Sequence, residues 1–142
     1  MVKIDLKNKN REKFLTEGPP KLLRLAVSVD GTPHISSVWY LWSKNCFWIT
    51  TAEDRLKVKA IKKNPKVSLV VDSDTPPYEG VIVEGNAVLT KRNIKEMTLG
   101  IVKKYVEKKS IQKQYDSLMR APRILIKIMP IKSIDIMSYP EH

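Results

Sequence analysis

Apolar and polar residues alternate with a period of two along much of this chain, the pattern of strands that bury one face. The predicted strands are residues 21–29, 34–42, 46–51, 66–72, 81–90 and 124–136. Asp30-Gly31 predicts a hairpin turn between the first two strands, and short turns predict an antiparallel meander of the first three. Gly85, in the middle of the fifth strand, predicts a bulge, a bend or the close approach of another backbone.

Other stretches carry helical spacing or helix boundary signals. Residues 5–18 predict a helix that stops at Gly-Pro-Pro, and residues 51–54 read as a capping box that opens a second helix. Pro65 places the end of that second helix at the preceding residue. Residues 91–110 predict an amphipathic helix and residues 111–118 a shorter one. One helix after the third strand and two before the last indicate an α+β fold built on a small antiparallel barrel.

A chain of 142 residues with 42% hydrophobic residues is long enough for one globular domain. Within a single domain over residues 1–142 we expect an N-terminal helix and linker (1–20), barrel strands with one helix (21–90), a helical segment (91–120) and a last strand (121–138). No apolar run approaches the roughly 20 residues of a membrane span, and no apolar leader opens the chain. We therefore expect no membrane segment and a cytoplasmic location. The single Cys46 excludes an internal disulfide framework.

The charge is strongly positive, since 26 basic and 15 acidic residues give a formal net charge of +11. Such a charge favours anionic partners, including nucleic acid, phosphate and anionic cofactors. Most of the cations are Lys, however, whereas bidentate recognition of phosphates and bases relies on Arg. The Lys-rich segment 103–109 is also typical of a solvated helix face, so charge alone does not choose a partner.

Several catalytic motifs are missing from the sequence. It contains no HExxH, CxxC or GxSxG, which argues against a zinc hydrolase, a redox dithiol and an α/β-hydrolase. It also contains no GxGxxG or GxxxxGKS, so a Rossmann site and a P-loop have no support. Asp72, Asp74 and Glu79 flank a Pro-Pro pair and indicate a solvated loop rather than a metal site. No side chain stands out as a general acid or base, so an enzyme of this sequence would depend on a bound cofactor.

Hydroxyl side chains interrupt two neighbouring predicted strands, where a purely structural strand prefers apolar or β-branched residues. The predicted helix N-terminus that follows offers free amides and two cations, Arg55 and Lys57. Together these groups suit a phosphate monoester whose flat ring extends back along the strands. The strand residues concerned are Ser36, Ser37, Trp39, Thr50 and Thr51. The alternative is that Thr51 only caps the helix and the cations are solvated, and the residues alone leave both interpretations open.

These residues also carry a family resemblance. The motifs are Gly31-x-Pro33-x-x-x-x-Val38-Trp39-Tyr40, Thr50-Thr51, Arg55-x-Lys57, Asn64-Pro65-x-Val67-Ser68-Leu69 and Gly80-Val81-x-Val83-x-Gly85-x-Ala87. In this order and spacing, over about residues 8–138, the chain resembles the short form of the pyridoxamine 5′-phosphate oxidase-like family of FMN-binding split barrels.

The resemblance implies a six-stranded antiparallel Greek-key split β-barrel with flanking helices. It also implies a homodimer that binds FMN, or a related deazaflavin coenzyme, at the subunit interface. Carried over residue by residue, Ser36, Ser37, Val38 and Trp39 match the strand along the ribityl chain and ring, Ile49, Thr50 and Thr51 match the strand beside the ring and phosphate, and Arg55 and Lys57 match the phosphate clamp.

The function that the resemblance implies is hydride transfer between a flavin and a small organic substrate. The family's pyridoxamine-phosphate oxidases carry a C-terminal Arg and His segment that residues 138–142 do not match, so we do not expect pyridoxal phosphate synthesis. The alternatives are a deazaflavin-dependent reductase on the same fold, a flavin carrier without turnover, and a non-enzymatic basic barrel that binds nucleic acid. The strand aromatics are flanked by core residues rather than interleaved with Arg, which counts against nucleic acid.

Overall fold

The computed structural model describes residues 9–136, which form seven strands and four α-helices. In chain order the elements are α1 (Lys9–Thr16), β1 (Leu23–Val29), β2 (Thr32–Val38), β3 (Leu41–Ser43), β4 (Cys46–Ala52), α2 (Leu56–Lys63), β5 (Lys66–Asp72), β6 (Gly80–Thr90), α3 (Ile94–Tyr105), α4 (Ile111–Leu118) and β7 (Arg123–Ile136), with a 3₁₀ turn at Lys108–Ser110. The helix predicted over 5–18 corresponds to α1, and residues 5–8 lie outside the described residues. The C-terminal residues 138–142 also lie outside them.

The alternation in the sequence decides which face of each strand is buried. In β1, Leu23, Leu25 and Val27 are buried, and the residues between them are partly exposed. Inward-facing apolar residues of the other strands, including Phe47, Ile49 and Ile128, join them in one core cluster. The inward faces of the strands therefore enclose a packed core of aliphatic and aromatic side chains.

The strands form one antiparallel sheet in the order β2-β1-β5-β6-β7-β4-β3. Strands β2 and β3 stand at opposite ends of this order, yet only Trp39 and Tyr40 separate them along the chain. The sheet must therefore curl until its two ends meet, which makes a barrel. The predicted fold class, an α+β antiparallel split barrel, is confirmed.

The strand count differs from the six predicted, because the predicted strand 34–42 is divided at Trp39 and Tyr40. The backbone amide of Tyr40 donates to the Tyr105 hydroxyl at 3.2 Å, and the Tyr40 carbonyl accepts from Lys104 Nζ at 2.9 Å. Side chains of α3 thus occupy both backbone groups that a neighbouring strand would use. Consequently β2 pairs with β1 at one end of the sheet, and β3 pairs with β4 at the other end. The predicted three-stranded meander is therefore split into two separate hairpins.

The pairing of β6 with β7 contains the irregularity that Gly85 predicts. Gly85 pairs with Pro130 whereas the preceding residue pairs with Lys132, so Ile131 is an extra residue on β7. A Cβ at position 85 would lie 2.7 Å from the carbonyl oxygen of Met129. The predicted bulge and close approach of another backbone are both confirmed.

The helices close the barrel and cover part of its outer face. α2 packs against β1 and β6 through its buried residues Val58, Ala60 and Ile61. It ends before Asn64, which is extended, as Pro65 predicts. α3 packs on β3, β4 and β7, and α4 packs on α3. None of the helices in the described part of the chain is long and apolar enough to cross a bilayer.

Candidate functional site

The end of β4, the start of α2 and the start of β7 meet at one place. Ala52, the last residue of β4, pairs with Arg123, the first residue of β7. The backbone amide of Glu53 donates to the carbonyl of Pro122 at 3.0 Å, which fixes the turn that leads into α2. Because this turn has only two residues before the helix cap, the cap residue Arg55 lies close to the start of β7.

Three cations converge here. Lys57 is half-buried and its Nζ donates to the Ser36 hydroxyl at 3.4 Å. Arg123 is also half-buried, and its Nε donates to Thr50 Oγ1 at 3.1 Å. Arg55 is exposed, and its charge acts on both of the others. The cluster therefore joins β2, β4, α2 and β7 through side chains.

The electrostatics of this cluster favour a bound anion. Burial is the main cause that lowers the pKa of Lys57, and the charge of Arg55 lowers it further. The pKa of Arg123 is lowered by the same two causes in the same order. Within residues 9–136 no salt bridge connects Arg55, Lys57 or Arg123 to an acidic side chain. Partly buried cations without a counter-ion are stabilised by an anionic ligand.

The start of α2 differs from the predicted capping box. Thr51 belongs to β4, where it pairs with Ile124 and is buried, so it does not cap the helix. The prediction was wrong because the ladder with β7 extends β4 to Ala52, and the N-cap is Arg55. No side chain caps the α2 N-terminus, whose first amides carry a partial positive charge next to the three cations.

Strand alternation separates the predicted site residues onto different faces. In β2, Ser36 shares the inward side with Val38, whereas Ser37 is exposed on the other side. In β4, Thr50 lies on the outer face and its hydroxyl is 2.9 Å from that of Thr98 on α3. Its neighbours Ile49 and Thr51 are buried on the inward face.

Trp39 is engaged by another aromatic residue. Its ring stacks on that of Tyr105, with centroids 4.9 Å apart and planes 3° from parallel. Of the predicted residues, the structure brings Lys57 to Ser36, while Thr50 on the outer face contacts Arg123, and the charge of Arg55 acts on both Lys57 and Arg123. The roles assigned to all nine residues stay predictions.

Sequence reasoning missed Arg123. It follows Pro122 and opens a strand, and no local motif distinguishes it from other surface cations. Only the pairing of β7 with β4 brings it beside residues that lie about 70 positions earlier in the chain. Its position directly before the predicted strand 124–136 was the single available signal.

Comparison with known proteins agrees with this fold. The family model described as pyridoxamine 5′-phosphate oxidase matches residues 12–133, most of the chain. The chain belongs to the pyridoxamine 5′-phosphate oxidase-like family. A comparison with curated proteins gave no match.

Several solved structures have a fold similar to that of this member of the pyridoxamine 5′-phosphate oxidase-like family. A conserved hypothetical protein from Mycobacterium tuberculosis has a TM-score of 0.76 and 18% identity, covering 100% of this chain and 94% of that one. An F420 reductase has a TM-score of 0.65 and 24% identity, covering 86% and 94%. A FAD-binding protein from Mesorhizobium loti has a TM-score of 0.67 and 18% identity, covering 94% and 93%.

Proposed function

We propose that this chain binds FMN and is an oxidoreductase that transfers a hydride between the flavin and a small organic substrate. The observation that carries the proposal is the cluster of Arg55, Lys57 and Arg123, which lacks an acidic partner among the described residues, beside the uncapped N-terminus of α2. A phosphate monoester supplies the missing negative charge. Family membership supports the cofactor class.

The residues of this chain would bind and orient the cofactor. Arg55 and Lys57 would hold the phosphate with the first amides of α2, while Arg123, anchored on Thr50, would add a third positive charge. Lys57 is already directed toward the Ser36 hydroxyl, which would place the adjoining part of the cofactor along β2. A bound flavin supplies the hydride chemistry itself, so the protein contributes binding and electrostatics.

We further propose a homodimer, with the outer face of β2, β1, β5 and β6 as its contact surface. This face contains a groove of about 620 Å³ whose lining includes Ala26, Pro33 and Ile131. Ile131 is 68% exposed, and Ile35 on the same outer side of β2 is 73% exposed. Large apolar side chains at this exposure support a protein interface.

A deazaflavin coenzyme is the second candidate. The likeness to an F420 reductase favours it, and the same three cations would accept the negative charge of either cofactor. The two cofactors are distinguished by titration rather than by the geometry of the cluster.

The phosphate site is tested by the double variant Arg55→Ala, Lys57→Ala. Loss of two charge-assisted contacts should weaken FMN binding about a hundredfold or more, measured by the quenching of flavin fluorescence. The matched control is Lys59→Ala, Lys63→Ala, which removes two exposed charges from the same helix and should leave the affinity within a few-fold of the parent. Arg123→Gln should also weaken binding, by about tenfold.

Thermal unfolding of each variant shows whether the barrel is intact. Unchanged FMN affinity in a folded Arg55→Ala, Lys57→Ala variant contradicts the phosphate site. Saturable binding of the deazaflavin coenzyme without binding of FMN favours the second candidate. Failure of both, together with salt-sensitive binding to oligonucleotides, would instead favour a nucleic-acid-binding barrel.

A further inference from the structure

A separate cavity lies on the outer face of the sheet, between the strands β4, β7 and β6 and the start of α3. Its volume is about 260 Å³. A row of three paired residues crosses its floor, because Trp48 pairs with Lys127 and Lys127 pairs with Val88. Met97 lines it from α3. None of the nine predicted flavin-site residues lines this cavity, and neither does Arg123.

The ring of Trp48 is the main apolar surface of this cavity. Its Nε1 donates to the carbonyl of Ser43 at 3.0 Å, so the polar atom of the indole is already satisfied. The half-buried ring is thus available for stacking and apolar contact rather than for hydrogen bonding. Val88 and Met97 add apolar surface on either side. An aromatic ring is the ligand group that such a lining accepts best.

The charged groups of the cavity are all cations. Lys44, Arg92 and Lys127 line it, and no Asp or Glu does. In the described part of the chain none of the three forms a salt bridge. Lys127 is half-buried, and its Nζ lies 5.2 Å from the centroid of the Trp48 ring. A cation beside an aromatic surface, without a carboxylate partner, selects a ligand that joins a ring to a negative charge.

The N-terminus of α3 also contributes positive charge to the cavity. Asn93 is the N-cap of this 12-residue helix, lines the cavity and makes no capping hydrogen bond through its side chain. The partial positive charge of the helix N-terminus therefore adds to the three side-chain cations. Glu96, in the first turn of the helix, is exposed and does not line the cavity.

We infer that this cavity is a second ligand site, which binds a small aromatic carboxylate with its ring against Trp48 and its carboxylate toward Lys127 and Arg92. The volume of about 260 Å³ is below the 300 Å³ or so at which sites for drug-sized ligands begin, so it matches a ligand with a single aromatic ring. The site is distinct from the phosphate cluster. Lys127 is four residues from Arg123 along β7, about 13 Å, and Leu125 between them is fully buried.

The test uses benzoate as the probe and isothermal calorimetry as the measurement. Wild-type protein should bind benzoate saturably, and benzamide, which has the ring without the charge, should bind at least tenfold more weakly. Lys127→Gln and Arg92→Gln should each weaken benzoate binding, the former about tenfold. The matched control Lys132→Gln removes an exposed charge from the same strand outside the cavity and should leave the affinity unchanged.

The role of the ring is tested with Trp48→Leu, whose folding is checked by thermal unfolding. Because Arg92 is exposed, Arg92→Gln keeps the proposal testable even if Trp48→Leu does not fold. The inference is overturned if wild-type protein shows no saturable binding of benzoate, if benzamide binds equally well, or if Lys127→Gln and Arg92→Gln both bind like the parent. FMN titration of Lys127→Gln separates the two sites, since its FMN affinity should stay at the wild-type value.

Discussion

At the scale of single residues, the crossing from β2 to β3 depends on Lys104. Its Nζ donates to the Tyr40 carbonyl at 2.9 Å and lies 3.4 Å from the centroid of the Tyr40 ring. Both contacts favour the charged ammonium, but burial, assisted by the charge of Lys21, outweighs them and lowers the pKa of Lys104 to about 8. Burial raises the pKa of Tyr105 to about 12, so its hydroxyl keeps the proton that it donates to the Lys21 carbonyl at 2.6 Å.

This lowered pKa makes stability depend on pH. The unfolded chain keeps the Lys104 proton up to its ordinary pKa of 10.5, whereas the folded chain releases it near pH 8. Unfolding therefore takes up a proton between these values, and the free energy of unfolding rises with pH in that window. We expect the stability of the parent relative to Lys104→Gln to increase from pH 7 to pH 9.5, measured by urea unfolding.

The control for this prediction is Lys103→Gln, which removes the exposed neighbouring charge on α3. Its stability relative to the parent should stay nearly constant over the same pH range. A difference between the parent and Lys104→Gln that is flat or falls with pH would show that the Lys104 ammonium is not destabilised by burial.

At the scale of elements, the bulge between β6 and β7 rests on a glycine. A Cβ at Gly85 would lie 2.7 Å from the Met129 carbonyl oxygen and 3.0 Å from Cγ2 of Ile128, both part of the paired strand. Backbone at this distance cannot move aside without disturbing the ladder. The absence of a side chain at Gly85 therefore lets the extra residue Ile131 fit into β7 without separating the strands.

Gly85→Ala should accordingly destabilise the fold by about 1–3 kcal/mol, the cost of overpacking, measured as the free energy of unfolding in urea. Gly100 offers the opposite case, because it lies inside α3 and its added Cβ would meet only Leu41 Cδ2 at 3.7 Å. Gly100→Ala should stabilise by about 0.5–1 kcal/mol. Equal stabilities for the two variants would contradict a tight backbone contact at Gly85.

At the scale of the whole molecule, the helices leave one side of the barrel without cover. α3 packs on β3, β4 and β7, whereas the outer faces of β2 and β1 carry the exposed Ile35 and the groove beside Ile131. The bulge is what makes Ile131 available, because an extra residue in the ladder is not held by strand pairing. The proposed dimer would bury these side chains.

We expect the purified protein to be a dimer in sedimentation equilibrium. Ile131→Lys and Ile35→Lys should each weaken the dimer about tenfold or more, because each places a charge in an apolar contact. The matched control is Leu22→Lys at a 38% exposed apolar residue that precedes β1, which should not change the association. A monomeric parent, or dimers of equal strength in all three variants, would contradict this surface.

The candidate site shows how far local patterns reach. Arg55 and Lys57 are separated by one residue at the start of a helix that Pro65 ends, so their proximity could be inferred from the chain itself. The partner Arg123 could not, because it depends on which strand β7 joins. The sequence also could not show that Thr51 pairs in a strand instead of capping α2. Residues 51–54 match a capping box, and only the pairing with β7 shows that Thr51 belongs to β4.

By itself the sequence determined the strands and helices, the inward faces, the Gly85 irregularity and the α+β class, because each depends on residue spacing over a few turns or alternations. Only the tertiary structure decided that the strand 34–42 breaks at Trp39 and Tyr40, that Tyr105 stacks on Trp39, and that Arg123 comes within the electrostatic reach of Arg55. Those contacts join residues 60 to 70 positions apart, and they depend on the pairing of β7 with β4 and on the packing of α3 against the barrel, neither of which a local pattern encodes.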